Sequence, residues 1–380
     1  MKNRMSGMAR TVWASAAVVA LGSGVAMGPG IVASAAATPQ LILPNPHLRE
    51  LQMTSMTSGW ALGMNNELYY TQNGGRHWTT LATVSWPRFL VGDKGSLAWG
   101  VTWAKGSTTP AIMVGAVSTH GKLWHHTIDV PGKHLVLLQW SATAISPLAG
   151  LVLSGRTSPS TLAEQVWTFN AQTRQASLSY DANPVPSTES PMTALSVESA
   201  HQVWGVSISP GPGPGLWSIR SGQATPVPLP IPHGLTQGPV GPMKPAPIAG
   251  PQFLNGTGFL AADYQTIALG TQAQVADALL YRTRGHQWIP VWHRPGYMDF
   301  VDFVTPKVGW LEWTAVAGAR PELLQTVNGG RTFNRLPTPG PGLPVLLNAH
   351  DGWWIDLSSA TKLWRTTTGG RSWIRVRVRA

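Results

Sequence analysis

The sequence predicts an all-β fold, a seven-bladed β-propeller of four-stranded antiparallel blades behind an N-terminal signal peptide. Three observations predict it. A boxed turn occurs three times, as Thr71-Gln72-Asn73-Gly74-Gly75-Arg76-His77-Trp78, Thr326-Val327-Asn328-Gly329-Gly330-Arg331-Thr332-Phe333 and Thr366-Thr367-Thr368-Gly369-Gly370-Arg371-Ser372-Trp373. A Gly-Trp or Trp-Gly pair follows a short apolar segment at intervals of about forty to fifty-five residues. The 380 residues include 41 Gly, 32 Pro and 19 Trp but are only 11% charged, against roughly 25% in ordinary globular domains. That composition suits short strands and tight turns and leaves little material for long Glu- and Lys-rich helices.

Residues 1–37 read as a secretory signal. Lys2, Arg4 and Arg10 form a basic start, Thr11 to Ala26 is an apolar run, and Ala33-Ser34-Ala35 offers a small-residue cleavage site, with Ala36 and Ala37 as alternatives. The competing reading is an uncleaved membrane anchor, but the glycines make the run weakly hydrophobic for a spanning helix. No other segment is long and apolar enough to span a bilayer. The chain has no Cys, which excludes a lipoprotein anchor and a disulfide framework. Residues 38–47 form a proline-containing lead-in, and 48–380 are expected as one domain.

Within that domain each unit reads as strand A, strand B with its Gly-Trp signal, strand C, a turn and strand D. The seven units fall at about 48–84, 88–131, 134–184, 191–232, 248–294, 298–338 and 342–380. A lone four-stranded sheet cannot bury both faces, whereas seven arranged radially bury them against one another. Alternation in Leu97-Ala98-Trp99-Gly100-Val101-Thr102-Trp103 supports strands rather than helices. One stretch departs from the pattern. Ser209 to Pro251 is dense in proline, which removes ladder donors, and reads as loops around a short final hairpin of blade four.

Each residue of the boxed turn has a structural use. Thr and Asn side chains bond nearby backbone amides, paired glycines admit positive φ, and the following aromatic folds back under the turn into its blade. These segments resemble the Asp-box, or BNR repeat, with pattern Ser/Thr-x-Asp-x-Gly-x-x-Trp/Phe. Thr71, Asn73, Gly75 and Trp78 match it, as do Thr326, Asn328, Gly330 and Phe333, and Thr366, Gly370 and Trp373 with Thr368 in the Asp position. Asn or Thr therefore stands where the pattern has Asp. Together with the Gly-Trp strands, the chain is similar to propellers of the photosystem II assembly factor (Ycf48-like) type and, more distantly, of the sortilin type. The resemblance implies that the boxes are structural turns on the outer rim, away from the ligand face, and that the chain is a binding or assembly scaffold.

Sialidases carry the same box, and their chemistry sets what a catalytic site here would need. A sialidase needs an arginine cluster, a Tyr-Glu pair, an Asp acid/base and a Phe/Tyr-Arg-Ile-Pro segment; no such segment is present. Glycosidases generally need two carboxylates across the scissile bond, and the chain has only nine Asp and seven Glu. Asp263, Glu312 and Asp356 follow B strands and point toward one rim; the simpler reading makes them solvated loop charges. His125-His126 are neighbours whose side chains take opposite faces of a strand, so they do not form a metal pair, and no metal or cofactor motif occurs. The expected protein has no cofactor and no metal, and is not an enzyme. A glycoside hydrolase of sialidase-like or related BNR type is the alternative.

Strand order then directs the search for a ligand. A–B and C–D turns, which include the boxes, share one face; B–C and D–A loops share the other, where long insertions are expected at Trp103 to Pro110, Ser154 to Glu164, Ser207 to Gly215, Asp263 to Asp277 and Glu312 to Pro321. Candidate binding residues there are Trp103, Lys105, Arg156, Tyr264, Trp313 and Arg320 from B–C loops, and Trp86, Arg88, Arg294 and Tyr297 from D–A loops. The formal charge is +11, or +8 without the three basic residues of the leader. A basic, aromatic rim on an exported monomer suits a protein segment, an anionic cell-envelope polymer or a glycan, at the cell surface or secreted. No basic-aromatic stripe suggests nucleic acid.

Overall fold

In a computed structural model of the chain, residues 40–42 and 48–379 are described, except 64, 76, 105–110, 132–133, 144–145, 159–160, 184, 186–191, 208–214, 234, 236–244, 268–273, 317–318, 341 and 357–362. The described strands form seven antiparallel sheets that follow one another along the chain, each with its four principal strands paired in sequence order. This is a seven-bladed β-propeller. Blade one pairs Leu48–Met53, Gly59–Gly63, Glu67–Thr71 and Thr79–Thr83 as strands A to D. Blade six pairs Tyr297–Phe303, Gly309–Thr314, Glu322–Thr326 and Asn334–Leu336. Blade seven pairs Gly342–Leu346, Gly352–Asp356, Leu363–Thr366 and Ile374–Arg379.

The A strands of neighbouring blades lie side by side around the axis. Gln52 Nε2 of blade one donates to Phe89 O of blade two at 3.0 Å, and Gln252 of blade five exchanges bonds with the backbone of Phe303 in blade six at 2.8 and 2.7 Å. The apolar core is divided among the seams between blades. Trp60, Leu62, Trp86 and Phe89 fill the seam of blades one and two, and Phe300, Trp310, Leu323, Leu346 and Trp354 that of blades six and seven. Indole nitrogens reach across seams as well: Trp60 Nε1 donates to Gly95 O at 2.8 Å and Trp373 Nε1 to Pro337 O at 2.9 Å.

The Gly-Trp signal has a packing cause. In blade six the glycine of the pair, Gly309, faces the ring of Phe303 at the end of strand A; a Cβ there would lie 2.5 Å from Phe303 Cδ1. The tryptophan beside it points to the opposite face and enters the seam with the next blade. In blade two the glycine of the reversed Trp-Gly pair lies under Trp86, and a Cβ on Gly100 would meet Trp86 Cδ2 at 1.8 Å.

Two departures from the sequence reading follow from ladder register. The B–C loops are shorter than their polar residues suggest. Blade three continues pairing to Ser158↔Thr161, and blade five through Asp263↔Ala278 and Tyr264↔Asp277 to Ile267↔Gln274. Ladder bonds use the backbone, so polar side chains do not end a strand. Gln40–Ile42, in the expected lead-in, is a strand that pairs in parallel with the final strand through Gln40↔Arg377, Leu41↔Val378 and Ile42↔Arg379. It adds a fifth strand outside blade seven and ties the first described strand to the last. Within the proline-rich stretch the hairpin Leu216–Arg220 and Gln223–Pro226 completes blade four.

Candidate binding face

The three boxed turns share one hydrogen-bond scheme. The buried hydroxyls of Thr71, Thr326 and Thr366 accept from the N–H of Gly75, Gly330 and Gly370, each at 2.9 Å. Asn73 Oδ1 accepts from His77 N, Asn328 Oδ1 from Thr332 N, and Thr368 Oγ1 from Ser372 N, at 2.9, 3.0 and 2.9 Å. Gly74, Gly329 and Gly369 each donate to the A–B turn of their own blade, to Thr57 O, Lys307 O and His350 O. The paired glycines have φ between 68° and 88°, the left-handed region that glycine enters without strain. In blades six and seven the closing aromatic reaches the preceding blade, and Trp373 also packs on Trp354 of its own blade at 5.6 Å. Phe333 meets Trp292 of blade five at 5.2 Å, and Trp373 bonds Pro337 O of blade six. The reason is position: the residue leaves the turn at the start of strand D, beside the neighbour's outermost strand. The polar atoms of the turns are thus engaged in holding the turns. Thr326→Val, which keeps the side-chain shape, is expected to cost about 1–2 kcal/mol by leaving Gly330 N–H without its acceptor, read as a lowered urea midpoint.

On the opposite face the ten sequence-predicted residues divide by burial. Trp103 ends strand B of blade two and is 55% exposed. Arg156 and Arg320 are exposed, and Arg320 Nη2 donates to Thr338 Oγ1 in the connection toward blade seven at 3.3 Å. Arg88, Arg294 and Tyr297 are half-buried. Trp86, Tyr264 and Trp313 are buried and belong to the seams, which corrects their placement as exposed rim contacts. Their strands or approach loops run beside a neighbouring sheet, and large rings there are drawn into it. Lys105 lies outside the described residues.

The structure brings two of the ten into direct contact. The Arg294 guanidinium lies 3.4 Å from the ring centre of Trp313, a cation–π contact across the seam of blades five and six. Trp313 Nε1 is fixed by Pro295 O at 3.1 Å. Glu322, at the start of strand C of blade six, lies 3.7 Å from Arg294 and 3.3 Å from Arg335.

The carboxyls read as loop charges are different. Asp263 and Glu312 lie inside B strands at 6% and 3% exposure; the strands run further than expected and carry them into seams. Glu312 shares a face with its partners Phe300 and Leu323, both in the packed seam toward blade seven. Burial pushes its carboxyl up to about 8, with Asp299 adding like-charge repulsion. Burial pushes Asp263 up to about 7, opposed by the N–H of Met298 at 3.3 Å and reinforced by Asp299. Asp299 is the bulged residue of strand A in blade six, where register shifts between Met298 and Phe300. Sequence reasoning missed this grouping, and a bulge leaves no composition signal by which to find it. The side chain of Asp356 lies outside the described residues.

No family model and no curated protein matches the chain. Among solved structures it is similar to a YCF48 bound to D1 peptide, at 14% identity over 91% of this chain and 99% of that one, with TM-score 0.43. It is similar to YCF48 from Cyanidioschyzon merolae at 12% identity, 88% and 97% coverage and TM-score 0.39. A GH74 xyloglucanase from Xanthomonas campestris shares 13% identity over 87% of this chain and 55% of that one, with TM-score 0.29. At these TM-scores none of the likenesses bears on ligand or activity, and the fold stands on the strand topology alone.

Arg294 and Trp313 supply a cation and an aromatic ring already locked together. Such a pair offers forked N–H donors to an anion at little entropic cost.

Proposed function

We propose that the chain is an exported, non-catalytic binding or assembly-scaffold propeller that holds a protein segment or an anionic envelope polymer on the face opposite its boxed turns. The observation that carries this reading is the preorganised Arg294–Trp313 pair. Exposed Trp103, Arg156 and Arg320 lie on the same face. The turns of Asp-box type work internally, as their hydrogen bonds indicate. The +8 charge of the chain without its leader favours an acidic partner.

The test uses the secreted chain with immobilised dextran sulfate and an array of acidic and neutral peptides. Saturable binding is expected to one of these probes. Trp103→Ala should weaken it about tenfold while the melting temperature holds, as for an exposed aromatic hot spot. No binding to either probe, or unchanged binding by Trp103→Ala, defeats the reading. Amino-terminal sequencing of the secreted chain checks that the leader is removed.

A second reading, glycoside hydrolysis, has one observation in its favour: Glu312 keeps its proton near neutrality, as a general acid must. Its neighbours Phe300 and Leu323 are seam residues rather than the walls of an open cleft. Turnover of aryl glycosides that is abolished by Glu312→Gln would establish hydrolysis and defeat the non-catalytic reading.

A further inference from the structure

We propose that the cleft between blades five and six binds an acidic sugar, a ring bearing a carboxylate, such as a uronate unit of an anionic glycan. The proposal rests on the binding reading above and names the ligand class for one place on the molecule. The cleft encloses about 330 Å³, within the range of roughly 300–1,000 Å³ typical of ligand pockets. Trp292 and Arg294 come from the outermost strand of blade five, and Glu322, Leu324, Phe333 and Arg335 from blade six.

The lining has two characters. Trp292 and Phe333 meet at 60° and 5.2 Å above buried Leu324, an apolar wall suited to the C–H face of a ring. Beside it, two guanidiniums share the single carboxylate of Glu322, which leaves one positive charge in excess. Their separations from it, 3.7 and 3.3 Å, exceed the roughly 2.7–2.9 Å of a closed charge-assisted hydrogen bond. Among the described residues neither guanidinium donates a hydrogen bond to another group. The forks therefore retain donors for a planar carboxylate, and Glu322 retains lone pairs for ring hydroxyls. Stacking on Trp313 fixes the plane of Arg294. A ring with C–H faces and one carboxylate matches the aromatic wall and the two guanidiniums together, whereas an extended acidic peptide would use only the charge.

The experiment titrates the intact secreted chain calorimetrically with tetragalacturonate, its neutral methyl ester and an acidic peptide. Tetragalacturonate should bind saturably, and the ester about tenfold more weakly. Arg335→Gln, with a side chain 72% exposed, should weaken tetragalacturonate about tenfold with an unchanged melting curve. Glu322→Gln should tighten it several-fold, because the competing carboxylate is gone. Equal affinity for acid and ester, indifference to both variants, or preference for the peptide overturns the proposal. If dextran sulfate binds in a Trp103-dependent way but tetragalacturonate does not bind, the acidic-sugar site fails and the binding reading stands; if no probe binds, both fail.

Discussion

Glu312→Gln is expected to raise the melting temperature at pH 8.5 and to change it little at pH 4.5. In the folded chain the Glu312 carboxyl is held up to about 8 by burial and by Asp299. In the unfolded chain it returns to its ordinary value near 4.5. Below pH 4.5 both states carry the proton and the group is neutral in effect. Between 4.5 and 8 the unfolded state ionises while the folded state keeps its proton, so stability is lost as pH rises, and above 8 the loss is complete. Asp263 acts in the same direction between 3.8 and about 7, and Asp302, bonded by Gln252, between 3.8 and about 6. The loss at Glu312 is on the order of 5 kcal/mol, or roughly 7 °C for a chain of this size.

The absolute melting curve mixes this with an opposing effect. The chain is already basic, and protonating its remaining carboxylates at low pH adds self-repulsion. The difference between wild type and Glu312→Gln at each pH cancels that contribution. A difference that stays flat from pH 4.5 to 8.5 would mean that the folded carboxyl titrates normally and is not held neutral in the seam.

The parts of the molecule that were legible in the sequence are those whose cause is local. A boxed turn needs two glycines at positive φ and a hydroxyl four residues before an amide; Thr326, Gly329 and Gly330 write all of that within five positions. The glycine of a Gly-Trp pair is required by the last side chain of strand A, as at Phe303 and Gly309, only six residues apart. Blade number and register follow from these. What was illegible depends on neighbours distant in sequence. Asp263 and Glu312 look like charges beyond a strand end, yet their ladders continue and the next sheet covers them. Trp313 and Tyr264 look like rim aromatics, but a ring near the end of a B strand faces a seam whose width no single blade encodes. The Arg294–Trp313 pair joins strand D of one blade to strand B of the next, and only the assembled ring shows that contact.

Trp310→Ala is expected to be among the most damaging single substitutions in the propeller, costing about 3–5 kcal/mol. Trp310 is fully buried in the seam of blades six and seven, among Phe300, Leu323, Leu346 and Trp354. Its Nε1 donates to Gly369 O at 3.4 Å, and Gln325 Nε2 donates to the same oxygen at 3.4 Å. Gly369 is the first glycine of the last boxed turn, and its own N–H is fixed by His350 O at 2.7 Å. The indole thus joins the core of blade six to the turn that sets strand D of blade seven, the strand on which Gln40–Ile42 pairs. Removing it opens a cavity at the seam next to that terminal pairing. Trp310→Phe keeps most of the ring and loses the bond, so about 1–2 kcal/mol is expected. Trp103→Ala, at an exposed ring, should cost less than about 0.5 kcal/mol. Urea unfolding of the three variants orders these contributions. If Trp310→Phe proves as damaging as Trp310→Ala, the indole acts through its hydrogen bond rather than its volume. If Trp310→Ala costs no more than Trp103→Ala, the seam does not hold blade seven in place.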